Sequence, residues 1–485
     1  MSNWSKQLKS TLLGNTNKVT DVVSGHAMTY DELFKQAIVF GSSLKLKQQS
    51  IVTVLLPNSL EFIISYIGCA MHGLIFAPVP YFLNAIEVKK ILEYHQSNIL
   101  ITDRTDIKYH TEILSPPKIL TTELELITLP VEVNDSDILS LYYSSGTTGN
   151  PKGVMYSHEN KFALIKSIVE DFSFNDQSKH FAFLPFGHTA SLNYSVFPSL
   201  FLGSEMFIAS GFDKIRSRFF QLLSKHKITY VEIVPTVAQT LVKLNEDVTI
   251  TDLSELPFIG CGSAPLSKNI QIEFMRKFGL PLANLYGLSE TGPSHIDDPR
   301  SPNWEPGSIG KALSVNDCKI AEDGEILLRG KNVMVGYFKN KNLTEEIIKD
   351  GWFYTGDYGY EKDGLFYFLD RKKDLIILAG MNIYPAEIED ILYKDKRVLE
   401  CAVFGIEDKT VGEQIIAYVK SDLIHTEDII MLQGDLINLC KDNLSRFKVP
   451  STIVITDDIP KTASGKIIRR ELKRIFLQKY SILED

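Results

Sequence analysis

Ser144-Ser145-Gly146-Thr147-Thr148-Gly149-Asn150-Pro151-Lys152-Gly153 is the stretch on which the reading of this chain turns. It follows an apolar run, Ile138 to Tyr143, of strand length. Glycines let the backbone point its N–H groups inward around anionic oxygens. Hydroxyls add donors, and Lys152 adds a positive charge. The GK[ST] ending of a Walker A loop is missing. A bare cluster of glycine and threonine also makes polar surface turns. Pro151 and Lys152 in this order narrow the reading to a polyphosphate cradle.

Near the C-terminus a second lysine stands in a small-residue turn, Pro460-Lys461-Thr462-Ala463-Ser464-Gly465-Lys466. It would bring one mobile positive charge to the first loop. Loop and lysine together point to ATP-dependent activation of a carboxylate.

Outward from these motifs, composition sets the bounds. A length of 485 residues predicts about three compact units. Apolar content of 44% and charged content of 23% fit a soluble globular chain. The net charge of -9 argues against a nucleic-acid partner, because phosphate-backbone binders carry a basic face. The basic runs Arg371-Lys372-Lys373 and Arg469-Arg470 sit among acids. Five scattered cysteines without a CxxC pair predict no disulfide framework and no zinc site, and place the chain in a reducing, cytoplasmic setting. The histidines show no HExxH spacing, so no transition metal is expected.

Met1 to Leu13 lacks the apolar core of a signal peptide. Phe62 to Leu83 is mostly apolar and near the ~20 residues that span a bilayer. Gly68, Gly73, Pro78 and Pro80 break it. It reads instead as a buried helix, Glu61 to Met71, a glycine turn and a strand, Leu74 to Val79. The chain is therefore not expected to span a membrane.

Apolar runs of strand length (Ile51 to Leu56, Asn98 to Thr102, Ile228 to Val234, Phe258 to Cys261) alternate with helical spacing (Tyr30 to Leu44, Ile86 to His95, Asn269 to Phe278). That alternation predicts α/β architecture with partly parallel sheets. Short β elements follow at Gly324 to Arg329 and Leu365 to Leu369. Beyond the charged run Asp370-Arg371-Lys372-Lys373-Asp374 the pattern changes to a small α+β unit. Its helices are expected at Pro385 to Tyr393, Gln433 to Leu444 and Ile467 to Lys479, with a strand at Leu399 to Gly405.

Four more motifs stand in order. Gly262-Ser263-Ala264-Pro265 follows the strand ending at Cys261, and Leu266-Ser267 reads as the cap of the next helix. Asn284-Leu285-Tyr286-Gly287-Leu288-Ser289-Glu290-Thr291-Gly292 comes next. Trp352-Phe353-Tyr354-Thr355-Gly356-Asp357 carries an acid after a tight turn. Asp370 to Ile376 leads into Gly380-Met381-Asn382-Ile383-Tyr384-Pro385-Ala386-Glu387-Ile388-Glu389.

On these motifs the chain resembles the adenylate-forming enzymes: acyl-CoA synthetases, peptide-synthetase adenylation domains and beetle luciferases. The likeness implies a large N-terminal domain of stacked mixed β-sheets with helices and a small β-barrel-like subdomain (residues 1–370). A hinge (371–375) and a small mobile α+β C-terminal domain (376–485) would follow. It implies that Ser144, Ser145, Gly146, Thr147, Thr148, Gly149 and Lys152 hold ATP phosphates. Gly262, Ser263, Ala264 and Pro265 would lie along adenine, with Tyr286 stacked on it, Asn284 at its edge and Gly287 beside it. Glu290 would hold Mg²⁺, a hard cation suited to carboxylate and phosphate oxygen. Thr291 would meet the α-phosphate, Asp357 both ribose hydroxyls, and Arg371 the ribose or phosphate side. Lys466 matches the catalytic lysine, Lys373 the hinge pivot, and Gly380 the glycine beside the CoA channel.

The resemblance also bears on the acid. Phe186-Gly187-His188 stands where amino-acid-activating relatives read Phe-Asp, whose aspartate pairs with the substrate's α-ammonium. Gly187 removes that charge, so an amino acid is disfavoured. His188, Val234, Pro235 and Gly262 are the expected walls of an acyl pocket for a fatty or aryl acid. The chain lacks the insertion common in ligases dedicated to carrier proteins, which favours CoA as acceptor over a carrier protein. Three departures keep every catalytic group: Ser145 for the usual threonine, Glu407 for a common proline, and the bulky Tyr142-Tyr143.

Overall fold

The computed structural model describes residues 1–109, 111–117, 132–145, 151–244, 252–302, 304–408, 412–423, 425–461 and 467–480, with the backbone alone for Ser144, Ser145 and Tyr480. Strands Ile51–Leu55, Ile75–Pro78 and Ile99–Thr102 are buried at every residue. Such continuous apolar runs belong to a parallel sheet covered on both faces. They lie side by side in a seven-stranded sheet, parallel to one another and to Ile138–Ser145. Pro151–Ser157 pairs antiparallel with Ile138–Ser145, so the two strands flank residues 146–150.

A second seven-stranded sheet runs in the order Leu282–Leu285, Ile259–Gly262, Tyr230–Ile233, His180–Ala182, Met206–Ile208, Lys18–Asp21, Ala27–Thr29. All of its pairings are parallel except the last. One buried cluster joins the two sheets: Val52, Val54 and Phe76 from the first meet Val19, Met206 and Ile208 from the second through intervening helices. Helix Tyr30–Ser43 starts at a capping box between Thr29 and Glu32. Helix Leu60–His72 is buried along its length save Glu61, and stops at Gly73 with φ 65°. The long apolar segment is thus a core helix and a strand. No helix among the described residues is long and apolar enough to cross a membrane.

A third, five-stranded antiparallel sheet contains Glu325–Gly330, Trp352–Lys362 and Leu365–Arg371. The fourth sheet uses only residues after 375, and its buried cluster holds helices Pro385–Leu392 and Thr426–Asn443. Spacing placed the start of the latter helix at Gln433, whereas it begins at Thr426. Ile430 and Met431 in its first turns are exposed, so the apolar period breaks exactly where the helix starts to form.

Candidate active site

Three parallel strands, Tyr230–Ile233, Ile259–Gly262 and Leu282–Leu285, end at one edge, where ligands of open α/β sheets bind. Gly262 pairs with Leu285, and a Cβ on Gly262 would stand 2.7 Å from the Leu285 carbonyl oxygen. A side chain there would push the strands apart. The next residue, Ser263, takes a left-handed φ of 68°, an uncommon conformation for a residue other than glycine. Ser263 and Pro265 are exposed, which leaves a ledge of small groups at the strand end. Ser267 caps the following helix by accepting from the Asn269 nitrogen.

Asn284 is anchored at that edge. Its backbone nitrogen donates to Asp297 at 2.8 Å and its side-chain amide to the Ser308 carbonyl at 2.9 Å. Tyr286 follows, with its ring edge-on to His295 at 5.3 Å. Its hydroxyl donates to Asp357 Oδ2 at 2.8 Å. Asp357 comes from the third sheet, where it pairs in register with Arg371. The Arg371 Nε lies 3.7 Å from Asp357 Oδ1. Burial pushes the Asp357 carboxyl above its ordinary range, and Arg371 and the Tyr286 hydroxyl pull against that. The result is a buried, acceptor-only group at the end of a tyrosine face, suited to a pair of hydroxyl donors.

Gly287–Leu288 and Gly292–Pro293 form a hairpin whose loop is Ser289-Glu290-Thr291. Gly292 closes the loop at φ 63°, as three-residue hairpin loops require. A Cβ on Gly287 would meet the Gly292 carbonyl oxygen at 2.3 Å. Glu290 stands in the loop, and its Oε1 accepts from the Tyr337 hydroxyl at 2.7 Å. The Lys152 ammonium lies 5.6 Å from the centre of the same tyrosine ring. Tyr337 therefore stands between the hairpin acid and Lys152 of strand Pro151–Ser157. Glu290, Thr355, Gly356 and Lys372 line an open cleft of about 450 Å³. Thr291 is fully buried, and its hydroxyl donates to the Gly292 carbonyl at 2.8 Å, so here it braces the hairpin.

The carboxylate of Glu290 fits a cation that arrives with a phosphate ligand, since Mg²⁺ takes one or two carboxylates and completes its shell with phosphate oxygen and water. Among the described residues no group of three His, Cys, Asp or Glu forms a cage.

At the junction of the sheets, Lys372 donates to Asp323 at 2.8 Å and to Glu325 at 3.0 Å, both in the third sheet's hairpin. Asp374, two residues on, pairs with Arg469 of the last helix at 3.5 Å. Ionic partners thus change side across Lys373. Asp370 Oδ2 accepts from the Ala386 nitrogen at 2.8 Å, and Asn269 donates to the Asp390 carbonyl at 3.1 Å. Gly380 is exposed at a hairpin tip of the fourth sheet, where Ala379 (φ 49°) and Gly380 (φ 78°) make a two-residue turn.

Of the remaining expected residues, His188 is half-buried with its ring 5.7 Å from Phe82. Val234 caps helix Pro235–Lys243, with Pro235 in its first turn. Gly187 is pinned by the chain itself, since a Cβ would lie 2.3 Å from Pro80 Cα and 2.4 Å from Pro80 N. Gly146, Thr147, Thr148, Gly149 and Lys466 lie outside the described residues, as do the side chains of Ser144 and Ser145. Lys461 and Ile467, on either side of residues 462–466, pair as an isolated bridge.

The sequence motifs did not disclose Tyr337, Tyr156, Lys161 or Glu232. Lys161 is wholly buried, with its ammonium 2.8 Å from Asn193 Oδ1 and 4.6 to 5.3 Å from the ring centres of Phe197, Tyr156 and Tyr142. Tyr156 in turn donates to the Ser289 carbonyl in the hairpin loop at 2.7 Å. A signal existed: Lys161 shares a helix face with Leu164, Ile165 and Ile168.

Residues 13–338 match the AMP-binding enzyme family, and residues 387–466 match the AMP-binding enzyme C-terminal domain. The chain is 32% identical to a 2-succinylbenzoate–CoA ligase of Listeria monocytogenes, covering 81% of this chain and 83% of that protein. It is 30% identical to a long-chain-fatty-acid–CoA ligase of Bacillus subtilis, covering 96% and 94%. Its fold matches that of O-succinylbenzoate coenzyme A synthetase from Bacillus subtilis, solved in complex with ATP and magnesium ion, with a TM-score of 0.85 at 27% identity over 98% of this chain and 99% of that one. Two family matches in chain order, on a fold that assembles Tyr286, Asp357 and Glu290 at one sheet edge, establish that the chain belongs to the AMP-binding enzymes, the adenylate-forming superfamily that includes the acyl-CoA synthetases.

Proposed function

We propose that the protein is an ATP-dependent carboxylic acid:CoA ligase that works through an acyl-adenylate and releases AMP and pyrophosphate. The observation that carries this reading is the joining of a nucleoside cradle, Tyr286–Asp357–Arg371, to a phosphate-side pair, Glu290–Tyr337–Lys152, across one hairpin. The relatives named as CoA ligases support it.

In the first half-reaction a carboxylate oxygen attacks the α-phosphorus of ATP, and the bond to pyrophosphate breaks. Tyr286 offers one face to the base, and Asp357 accepts from the ribose hydroxyls. Lys152 and the 146–150 loop hold the phosphates. Glu290 would hold Mg²⁺, which neutralises phosphate charge when bound. Thr291 reaches the α-phosphate only if its hydroxyl leaves the Gly292 carbonyl. Lys466 supplies the ammonium between carboxylate and phosphate, and preorganised charge of this kind is typically worth a hundred- to a thousandfold in rate.

In the second half-reaction the CoA sulfur attacks the acyl carbon and AMP leaves. The part after Lys373 turns about that residue, withdrawing Lys466 and bringing Gly380 to the thiol channel. The change of ionic partners between Lys372 and Asp374 supports a pivot there. The acid is fatty or aryl, held by His188, Val234, Pro235 and Gly262.

Pyrophosphate release over a panel of acids, with CoA or hydroxylamine as acceptor, tests the reading. Acid-dependent release is expected. No release with any acid, hydroxylamine included, would overturn it. Adenylate without acyl-CoA would point to a carrier protein as acceptor.

A further inference from the structure

Glu232 stands inside the parallel sheet, on strand Tyr230–Ile233, with 2% of its surface exposed. Among the described residues its Oε2 meets no hydrogen-bond partner. The same holds for the hydroxyl of Tyr230, two residues back on the same face, and for that of Ser195. Ser195 belongs to the helical segment Leu192–Val196, which packs on this strand. Burial raises the pKa of Tyr194 in that segment, and the nearby Glu232 carboxyl adds to the rise. Buried polar groups are almost always paired, so the Glu232 carboxyl and the Tyr230 hydroxyl, both unpaired on one face of one strand, call for an explanation.

Register places this cluster relative to the site. Glu232 pairs with Gly260 and Gly260 with Ala283, while Gly262 and Leu285 pair one pleat further along. Gly262 and Leu285 lead directly into Ser263 and Tyr286, the nucleotide end. Ile259 and Cys261 belong to the core on the opposite face, so the face of Glu232 is floored by Gly260 and Gly262. The Tyr230 hydroxyl and Leu285 Cδ1 both lie over Gly260, where a Cβ would meet them at 2.6 and 2.7 Å. Glu232 is therefore two residues, about 7 Å, below the rim made by Val234 and Gly262.

We propose that Glu232, with the Tyr230 hydroxyl beside it, forms the far wall of the acid pocket and selects short acids bearing an amine or hydroxyl donor at the end remote from the reacting carboxylate. The inference rests on the proposed acyl pocket and deepens it. Burial pushes the Glu232 carboxyl up to about 8, so it is mostly neutral at pH 7. An incoming ammonium would favour its charged form, and a hydroxyl pairs with either form. A long apolar acid would leave the carboxyl buried and unpaired, which is the strongest kind of discrimination a pocket can exert.

The test measures acid-dependent pyrophosphate release for matched pairs: 4-aminobenzoate and 4-hydroxybenzoate against 4-methylbenzoate, and 6-aminohexanoate against heptanoate. The wild type is expected to favour the donor-bearing member by roughly tenfold or more in kcat/KM. Glu232→Leu should invert that preference. Glu232→Gln, nearly isosteric, should keep the hydroxyl acid and lose the amine. Thermal melting with and without ATP confirms that each variant is folded and binds nucleotide. A wild type that uses the apolar members equally well or better, or a folded Glu232→Leu with unchanged preference, would overturn the proposal. Absence of release with every acid would count instead against the ligase reading.

Discussion

The Tyr286 hydroxyl donates to Asp357 Oδ2 at 2.8 Å, joining the end of the parallel sheet to the third sheet through a single buried hydrogen bond. On the proposed function, a nucleoside entering here would meet the tyrosine ring and a carboxylate already held in position. Asp357→Asn leaves one acceptor oxygen where there were two and removes the charge. It should raise the KM for ATP about ten- to a hundredfold with kcat within threefold, because the ribose contact is the same in ground and transition states. Tyr286→Phe should cost only a few-fold. Initial rates of pyrophosphate release against ATP concentration check both.

Gly187 is expected to tolerate no side chain. A Cβ there would contact the Pro80 backbone at 2.3 Å, and backbone cannot swing away as a side chain can. Gly187→Asp should lower stability by about 1–3 kcal/mol, the usual cost of overpacking. It should not confer activity on amino acids. Denaturant melts and amino-acid-dependent pyrophosphate exchange check the two halves.

The Lys161 ammonium is wholly buried and faces three aromatic rings and Asn193, so burial holds its pKa down at about 7. Lys161→Met keeps the stem and removes the charge. Replacing a buried charge by an apolar group of similar volume is often neutral or stabilising, so its melting temperature should match or exceed the wild type. Lys161→Ala opens a cavity and should lose about 2–5 kcal/mol. If Lys161→Met destabilises as much as Lys161→Ala, the Asn193 bond and the ring contacts matter more than the cost of burial.

Glu232 also gives the fold a pH dependence. Its folded pKa, about 8, lies above the ordinary 4.5, so the folded state holds the proton more tightly. Its contribution is full below about 4.5 and is lost as pH rises towards 8. Glu232→Gln removes that decline. The melting temperature of the variant minus that of the wild type should grow by several degrees between pH 5.5 and 8.5. Scanning fluorimetry in matched buffers reads it, and a difference flat with pH would contradict it.

Much of the fold was legible because its strands are covered on both faces: Ile51–Leu55 and Ile99–Thr102 are apolar at nearly every position. Helix Thr426–Asn443 was only half legible, since its first turns expose Ile430 and Met431. Within the site, Asn284 to Gly292 stood out because one continuous stretch runs from the end of strand Leu282–Leu285 into the hairpin. Tyr337 could not, because its partner Glu290 is 47 positions away and no local pattern records that contact. Glu232 is one polar residue in an apolar strand, and only the register with Gly260 puts it on the same sheet face as Gly262.

The central claim is that one pocket runs two half-reactions and that Lys466 serves only the first. Lys466→Ala, assayed separately for acyl-adenylate formation and for transfer from preformed acyl-adenylate to CoA, tests it most directly. The account predicts that adenylation falls by about a hundredfold or more while thiol transfer stays within a few-fold of the wild type. Unchanged adenylation, or an equal loss in both steps, would contradict it.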